Sequence, residues 1–458
     1  MLHVESFFER PGVWRQNSYL TVALAIVLGV TTGSFVMISP RLGLIVALVF
    51  LLLSIILPKP EYGLFLIVIF LPFERLIPLN KDFGIIKLIM IVTLFAWLVR
   101  LFKRKSTQVN LREPSSLFLS LFAATAVLSL IQAKNLSMGL DRVVTLFLLI
   151  GLYYMVVDLV IDQRTLDTTL MLLACSGIVS SLLTLAQFIQ NGGQRTGGLY
   201  MEPSSSAINL LALLPLVFIF ISKEGARFSP IFWIGSFTII AAVIATLSRG
   251  PMIALLVVLI MSMRKRLIHR RLKQALSLLV IVAVLSLPFL WYMNPRLSLS
   301  AIQNDGGSGR LSLWQGGQEI MKDHWLFGIG LGNYRFVYFK YSLVSKGLPA
   351  GYTVKLVAHN VPIETAVETG IFGLIFLTMF LFFLLRKSYV NYRRLLDIDR
   401  NQALIISMLS ISIIGFLVGS LANSILYLKI IWLLLALASA QSNLATRDGR
   451  QNQMLLIG

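Results

Sequence analysis

Three arginines and one histidine, residue types that can bind anions and transfer protons, lie in short polar segments of an otherwise apolar chain. Arg195 lies in the glycine-rich run 192–198, Arg249 in a Ser-Arg-Gly turn, Arg310 after Gly-Gly-Ser-Gly, and His359 just before the next apolar run. A guanidinium group is always charged, and its planar fork matches two phosphate oxygens at once. An imidazole takes up a proton near neutral pH. Together these residues predict an anion site with a general base beside it, which a phosphate-bearing lipid would fit.

Simpler interpretations exist for each residue taken singly. An arginine at a helix end is commonly an anchor at the membrane interface, and a lone histidine near a helix start is commonly a structural residue. Anchors, however, need no flexible backbone beside them. The glycine-rich and Ser-Arg-Gly surroundings of Arg195, Arg249 and Arg310 therefore favour the anion site.

The residues that follow His359 predict how it is held. Asn360 suits the cap of the next helix, and Pro362 suits its first turn. Glu364 and Glu368 are spaced for one face of that helix. They could orient the imidazole, but structural or exposed roles fit the spacing equally well.

The long polar loop, residues 294–358, predicts a partly ordered cover over the site. Arg310–Trp325 has the apolar spacing of a short amphipathic helix lying on the membrane surface, with Trp314 on its apolar side. The alternating glycines of 328–332 predict a tight turn. They do not form a dinucleotide fingerprint, because no strand precedes them and the loop lies between membrane spans.

Composition indicates a membrane protein. The 458 residues are 57% hydrophobic and 13% charged, and the mean hydropathy is +0.82. The formal charge of +20 comes from Lys and Arg between apolar runs, where these residues set topology, so no nucleic-acid partner is expected. The single cysteine, Cys175, excludes a disulfide framework. Asp397 and Asp399 stand beside Arg394 and Arg400, which favours ion pairs over a metal site, and no metal or cofactor is expected.

Apolar runs long enough to span a bilayer predict an all-α polytopic membrane protein of about 12–14 transmembrane helices with one long, partly helical periplasmic loop. The expected organisation is an N-terminal transmembrane bundle at 1–293, the loop over the active site at 294–358, and C-terminal helices with a cytoplasmic tail at 359–458. The runs are Tyr19–Met37, Leu42–Leu57, Tyr62–Pro78, Phe83–Phe102, Ser116–Ile131, Val143–Ile161, Thr168–Phe188, Ser204–Ile221, Ile231–Leu247, Pro251–Met263, Gln274–Met293, Val361–Leu385, Ala403–Leu421 and Ser424–Ala440.

Basic clusters predict the orientation. Short connections rich in Lys and Arg stay in the cytoplasm. Clusters at 103–105, 264–273 and 386–394 fall on one side when the helices between them are counted, and both termini fall on that side too. The long loop and the four residues named above then lie on the opposite side of the membrane. A multi-pass membrane protein with both termini in the cytoplasm is expected.

The order of motifs resembles the bacterial O-antigen ligase and O-antigen polymerase superfamily. The motifs are Ser-Arg-Gly at a helix start, Gly-Arg-x-x-x-Trp and Gly-x-Gly-x-Gly-Asn in a long outer loop, and His-Asn before a helix. The resemblance covers chiefly residues 190–385. It implies a GT-C-like helical fold, a place in the bacterial inner membrane, and metal-independent transfer of a glycan from undecaprenyl pyrophosphate to a hydroxyl at the periplasmic face.

By the same resemblance, Arg249 and Arg310 hold the donor pyrophosphate, and Arg195 is similar to a further basic residue of many members. His359 resembles the residue that activates the acceptor hydroxyl, which would belong to a glycan or to lipid A-core. Asn360, Glu364 and Trp314 are expected to support the site.

Three functions remain open at this point. A ligase moves a finished glycan onto lipid A-core or a similar acceptor, whereas a polymerase joins repeat units on the carrier lipid. The compact outer loop and the clear His-Asn pair favour the ligase. A lipid-glycan flippase or transporter also holds phosphate, but transporters commonly place charges at mid-membrane and carry an internal repeat. Here the distinctive charges lie at one surface.

Overall fold

The computed structural model describes residues 40–73, 78–80, 83–103, 109–198, 202–223, 229–293, 310–341 and 357–457. The first predicted span, Tyr19–Met37, and the loop segments 294–309 and 342–356 lie outside these ranges. In chain order the helices are α1 Pro40–Ile56, α2 Pro60–Phe70, α3 Ile85–Lys103, α4 Pro114–Leu128, α5 Leu136–Leu159, α6 Gln163–Gln190, α7 Pro203–Ser222, α8 Ser229–Ala245, α9 Arg249–Met263, α10 Arg270–Met293, α11 Arg310–His324, α12 Tyr334–Tyr341, α13 Val361–Leu395, α14 Arg400–Ser420 and α15 Lys429–Ile457.

The all-α prediction is confirmed. Each apolar run from Leu42 onward overlaps a helix. Within the described ranges, seven helices are long and apolar enough to cross a membrane: α3, α4 with the 3-10 turn after it, α5, α6, α7, α13 and α14. Four shorter apolar helices, α1, α2, α8 and α9, accompany them. The chain is therefore a polytopic helical membrane protein.

One predicted run is only partly helical. The run Tyr62–Pro78 begins as α2, but the α-helix ends at Phe70 and a 3-10 turn covers Leu71–Phe73. A short antiparallel ribbon then pairs β1, Pro78–Asn80, with β2, Phe83–Gly84. Proline has no backbone N–H and its ring clashes with the preceding helical turn, so Pro72 and Pro78 oppose a continuous helix.

Helix starts follow local capping rules. Proline occupies the first turn of α2, α4 and α7, where a missing N–H costs nothing. At four other starts an Asn or Asp side chain accepts a hydrogen bond from the backbone N–H three residues on, which satisfies a donor that the helix leaves free. These capping residues are Asn135, Asp162, Asn360 and Asp399.

Helix α7 forms the centre of the bundle. Nearly all of its side chains are buried, including the serines of its first turn. It packs against α6, α8, α9 and α14. The first residue of α7 therefore lies among the ends of its neighbours, and this is where the candidate site is found.

The described part of the loop has a small hydrophobic core of its own. Leu313 and Ile320 of α11 and Tyr334 of α12 pack with Val367 of α13 and with Ala358. Helix α11 matches the predicted amphipathic helix, and its apolar side meets α13. Its position on a membrane surface stays a prediction.

A break in α13 fastens this loop to the bundle. Gly370 adopts φ 73° and ψ −178°, so the helical hydrogen-bond ladder is interrupted there. The freed carbonyls of Val367 and Glu368 accept hydrogen bonds from the N–H groups of Ile329 and Gly330, both at 3.0 Å. The N–H of Ile371 donates to the Trp325 carbonyl at 2.8 Å. These backbone bonds fix the loop against α13.

The predicted glycine turn is confirmed. Gly328, Gly330 and Gly332 all have φ between 69° and 87°, a region that favours glycine. The turn ends at Asn333, whose fully buried side chain accepts from the N–H of Asn135 at 2.7 Å. The loop is thus tied to the start of α5 as well as to α13.

Candidate active site

Arg195 lies in the segment between α6 and α7. Glycines with positive φ flank it on both sides, at 192, 193 and 198. Its Nε donates to the carbonyl of Thr246 and its Nη2 to Oγ of Ser248, each at 3.3 Å. Arg195 is therefore held against the turn that leads into α9.

Arg249 is the first residue of α9. The turn before it is only three residues long, and Leu247 within it has a left-handed φ of 47°. Ser248 is buried and lies 3.5 Å, Oγ to Oγ, from Ser204 of α7. A side chain at Gly250 would meet Ala422, so the start of α9 also lies close to the end of α14.

Arg310 is the first residue of α11, and it lies near Arg195 and Arg249. Burial lowers the pKa of Arg310, and the positive charges of Arg249 and Arg195 lower it further. The negative charge of Glu202 raises this pKa and partly offsets them. Guanidinium groups influence one another in this way only when they lie close together. The three predicted arginines, which come from three separate parts of the chain, therefore form one cluster.

His359 stands at the edge of this cluster. Its backbone is left-handed, with φ 49°, which is uncommon for a residue other than glycine. Burial lowers the pKa of His359, Arg310 lowers it further, and Glu202 partly opposes the shift. Burial and Arg310 thus disfavour the charged form of the imidazole, which leaves it able to accept a proton.

Trp314 and Asn360 hold the residues on either side of His359. The indole Nε1 of Trp314 donates to the carbonyl of Ala358 at 3.0 Å. Oδ1 of Asn360 accepts from the N–H of Ile363 at 3.0 Å, as predicted for a helix cap, and its Nδ2 donates to the carbonyl of Leu421 at 2.9 Å. The unusual backbone of His359 is therefore restrained from both directions.

Glu364 lies in a buried cluster beside the arginines. It faces Ser424 and Arg142, and it lines a small cavity with Glu368 and Tyr427. The guanidinium of Arg142 lies 4.9 Å from the centre of the Tyr427 ring. The charged groups that act on His359 are instead Arg310 and Glu202. Glu364 thus belongs to a neighbouring buried cluster under the loop.

Glu368 has a similar structural place. One of its carboxylate oxygens accepts the N–H of Tyr334 at 3.3 Å, just after the glycine turn. The alternative that these two glutamates are structural therefore fits the observed contacts.

Glu202 is the residue that sequence reasoning missed. It directly precedes α7, and its carboxylate accepts from Oγ of Ser205 at 2.6 Å. Its charge acts on both Arg310 and His359. The sequence signal is slight: an acid before Pro203, at a helix start that faces the arginine-bearing segments. In the structure it supplies negative charge to a strongly cationic site.

Comparison with known proteins supports the resemblance noted from the motifs. Residues 234–378 match the O-antigen ligase family model. The matched stretch runs from α8 into α13, and it contains Arg249, Arg310 and His359, while Arg195 and Glu202 precede it. A search of curated proteins finds no match. The superfamily resemblance is confirmed, and a function of the O-antigen ligase or polymerase type is supported broadly.

The arrangement suits binding of an anion beside a group that can accept a proton. Three clustered guanidinium groups can neutralise the charge of a diphosphate, and pairing is stronger in a partly buried site than in water. A neutral imidazole beside them can take a proton from a hydroxyl. The O-antigen ligase match and this geometry thus point to the same class of reaction.

Proposed function

We propose that this protein transfers a glycan from an undecaprenyl pyrophosphate carrier to a hydroxyl of lipid A-core or a similar acceptor, as an O-antigen ligase does. The observation that carries the proposal is the cluster of Arg195, Arg249 and Arg310 with the imidazole of His359 at its edge. A glycan or lipid acceptor needs its proton removed, and the carrier needs its charge stabilised. The imidazole can remove the proton, and the guanidinium groups can stabilise the charge.

The arginines bind the donor pyrophosphate. Arg249 stands at the start of α9 and Arg310 at the start of α11, and each helix N-terminus adds partial positive charge. Arg195 is braced against the α8–α9 turn and completes the cluster. As the sugar departs from the carrier, charge grows on the pyrophosphate oxygens, and the three fixed guanidinium groups stabilise it.

His359 acts as the general base. It takes the proton of the acceptor hydroxyl while the hydroxyl oxygen bonds to the sugar carbon and the bond from that carbon to the pyrophosphate breaks. The pyrophosphate leaves with the electron pair, held by the arginines. A single in-line displacement of this kind inverts the sugar carbon and needs no metal in our mechanism.

The loop 294–358 covers the site in this proposal. Helix α11 carries both Arg310 and Trp314, and Trp314 contacts the residue before His359. The loop thus delivers one donor-binding arginine and braces the base at the same time. In the proposed orientation the site faces the periplasm of a bacterial inner membrane, both termini are cytoplasmic, and the protein has N- and C-terminal transmembrane parts at 1–293 and 359–458.

A deletion strain tests the proposal when its surface polysaccharide and its carrier-linked glycans are both sized on gels. Loss of a ligase leaves long chains on the carrier lipid and none on the acceptor. Single repeats on the acceptor would instead identify a polymerase, and carrier-linked glycan retained inside the cell would identify a transporter.

Complementation of that strain with matched variants ties the outcome to the site. Arg249→Gln should fail to restore surface polysaccharide, because it removes a guanidinium from the cluster. Arg335→Gln is the control, since this loop arginine contacts Met138 and the ring of Phe336 instead. Restoration by both variants would contradict the assignment of Arg249.

A further inference from the structure

A large cavity lies at the end of the bundle opposite the arginine cluster. Its volume is about 1020 Å³, and it opens between α2, α3 and the start of α6. The candidate site lies beyond the other end of α6. Since an α-helix rises about 1.5 Å per residue, the 28 residues of α6 separate the two places by about 40 Å. The cavity is thus distinct from the proposed donor site.

The lining of this cavity is basic. Lys59, Arg100, Lys103 and Arg164 contribute from three different helices or their ends. Among the described residues that line it, Glu61 is the one acid, and it forms an ion pair with Arg100. Three positive charges therefore remain without a lining acid to balance them, which favours a ligand with negative charge.

The lining also contains apolar residues, and these continue onto an exposed apolar surface. Leu57, Phe65 and Val99 line the cavity beside the basic residues. From there an exposed apolar stripe runs along α3 with the spacing of one helix face. The stripe consists of Ile91, Phe95, Leu98 and Phe102.

We propose that this cavity binds the head group of an anionic phospholipid, with the acyl chains lying along the exposed stripe of α3. Basic pockets between transmembrane helices bind anionic lipid head groups because each Lys or Arg near the surface adds favourable charge. A free phosphate would use the charges but not the apolar stripe. In the orientation proposed above, the cavity faces the cytoplasmic leaflet, where anionic lipids attract basic segments.

The basic residues of this cavity also differ from ordinary interfacial anchors. A snorkelling Lys or Arg reaches outward singly from a helix end. Here residues from the start of α2, the end of α3 and the start of α6 surround one space. Its volume matches the size of pockets that enclose small ligands.

Native mass spectrometry of the full-length protein tests the proposal. The protein is released from nanodiscs that contain equal amounts of phosphatidylglycerol and phosphatidylethanolamine. We expect the wild type to retain phosphatidylglycerol preferentially. The double variant Lys59→Gln, Arg164→Gln should lose at least tenfold of this preference, because two of the three unbalanced charges are removed.

The control is a second double variant with the same loss of charge at the same end of the bundle. Arg266→Gln, Arg271→Gln changes two exposed arginines outside the cavity lining, and it should retain the wild-type preference. Equal retention by both double variants would overturn the proposal. So would displacement of the bound lipid by inorganic phosphate at millimolar concentration, which would identify a free-phosphate site. Glycan transfer is not the readout, so this result is independent of the proposed function.

Discussion

The hydrogen bond from Trp314 to Ala358 offers a sharp test of how His359 is positioned. Trp314→Phe keeps an aromatic ring but removes the N–H donor, which leaves the carbonyl of the fully buried Ala358 without that partner. Losing one such bond costs about 1–2 kcal/mol. If that free energy is what keeps His359 in the position needed for the transition state, the rate of glycan transfer should fall about 5- to 30-fold.

The assay measures initial rates with the purified full-length protein, a carrier-linked glycan donor and a lipid A-core acceptor. The maximal rate should fall while the donor concentration for half-maximal rate changes little, because the bond supports the base. Trp325→Phe is the matched control: this tryptophan ends the same helical region, is 57% exposed and uses its backbone carbonyl to bond Ile371. Equal rates for Trp314→Phe, Trp325→Phe and the wild type would refute the reasoning.

Three further predictions follow from the site and its supports. Burial and Arg310 lower the pKa of His359, so in a pH–rate profile the rate should fall at a lower pH than an unperturbed histidine would give, and Arg310→Gln should move that midpoint upward. Asn360→Ala removes a helix cap and a second hydrogen bond, so denaturation experiments should show a loss of about 2 kcal/mol in the free energy of unfolding, with slower transfer. Gly370→Ala forces a strained φ at a cost of about 1–3 kcal/mol, and hydrogen exchange at the Ile329 amide should become faster. An unchanged exchange rate there would contradict the role given to the break in α13.

Much of the fold could be predicted because it depends on local signals. Apolar runs of about twenty residues form helices, since backbone groups in hydrocarbon must pair within their own segment. The cap at Asn360, the loop helix from Arg310 and the glycine turn at 328–332 are all local as well. Each of these predictions is confirmed.

The remaining features depend on contacts between distant parts of the chain. Glu202 acts on Arg310 and His359, which lie more than a hundred residues away, and nothing around it in the sequence indicates this. The break at Gly370 is stabilised by the loop that precedes α13. The spacing of Glu364 and Glu368 predicts that they share one helix face. The sequence could not show that this face meets Arg142 and the loop. Periodicity identifies a face, and only packing identifies its partner.

The most direct test of the proposed mechanism is the transfer rate of the purified His359→Ala protein. The arginine cluster remains in this variant, so it should stay folded and bind the donor pyrophosphate as the wild type does. Without the imidazole no group takes the acceptor proton, so transfer should be abolished. Transfer at the wild-type rate by a folded His359→Ala protein would contradict the proposed role of His359 as the base.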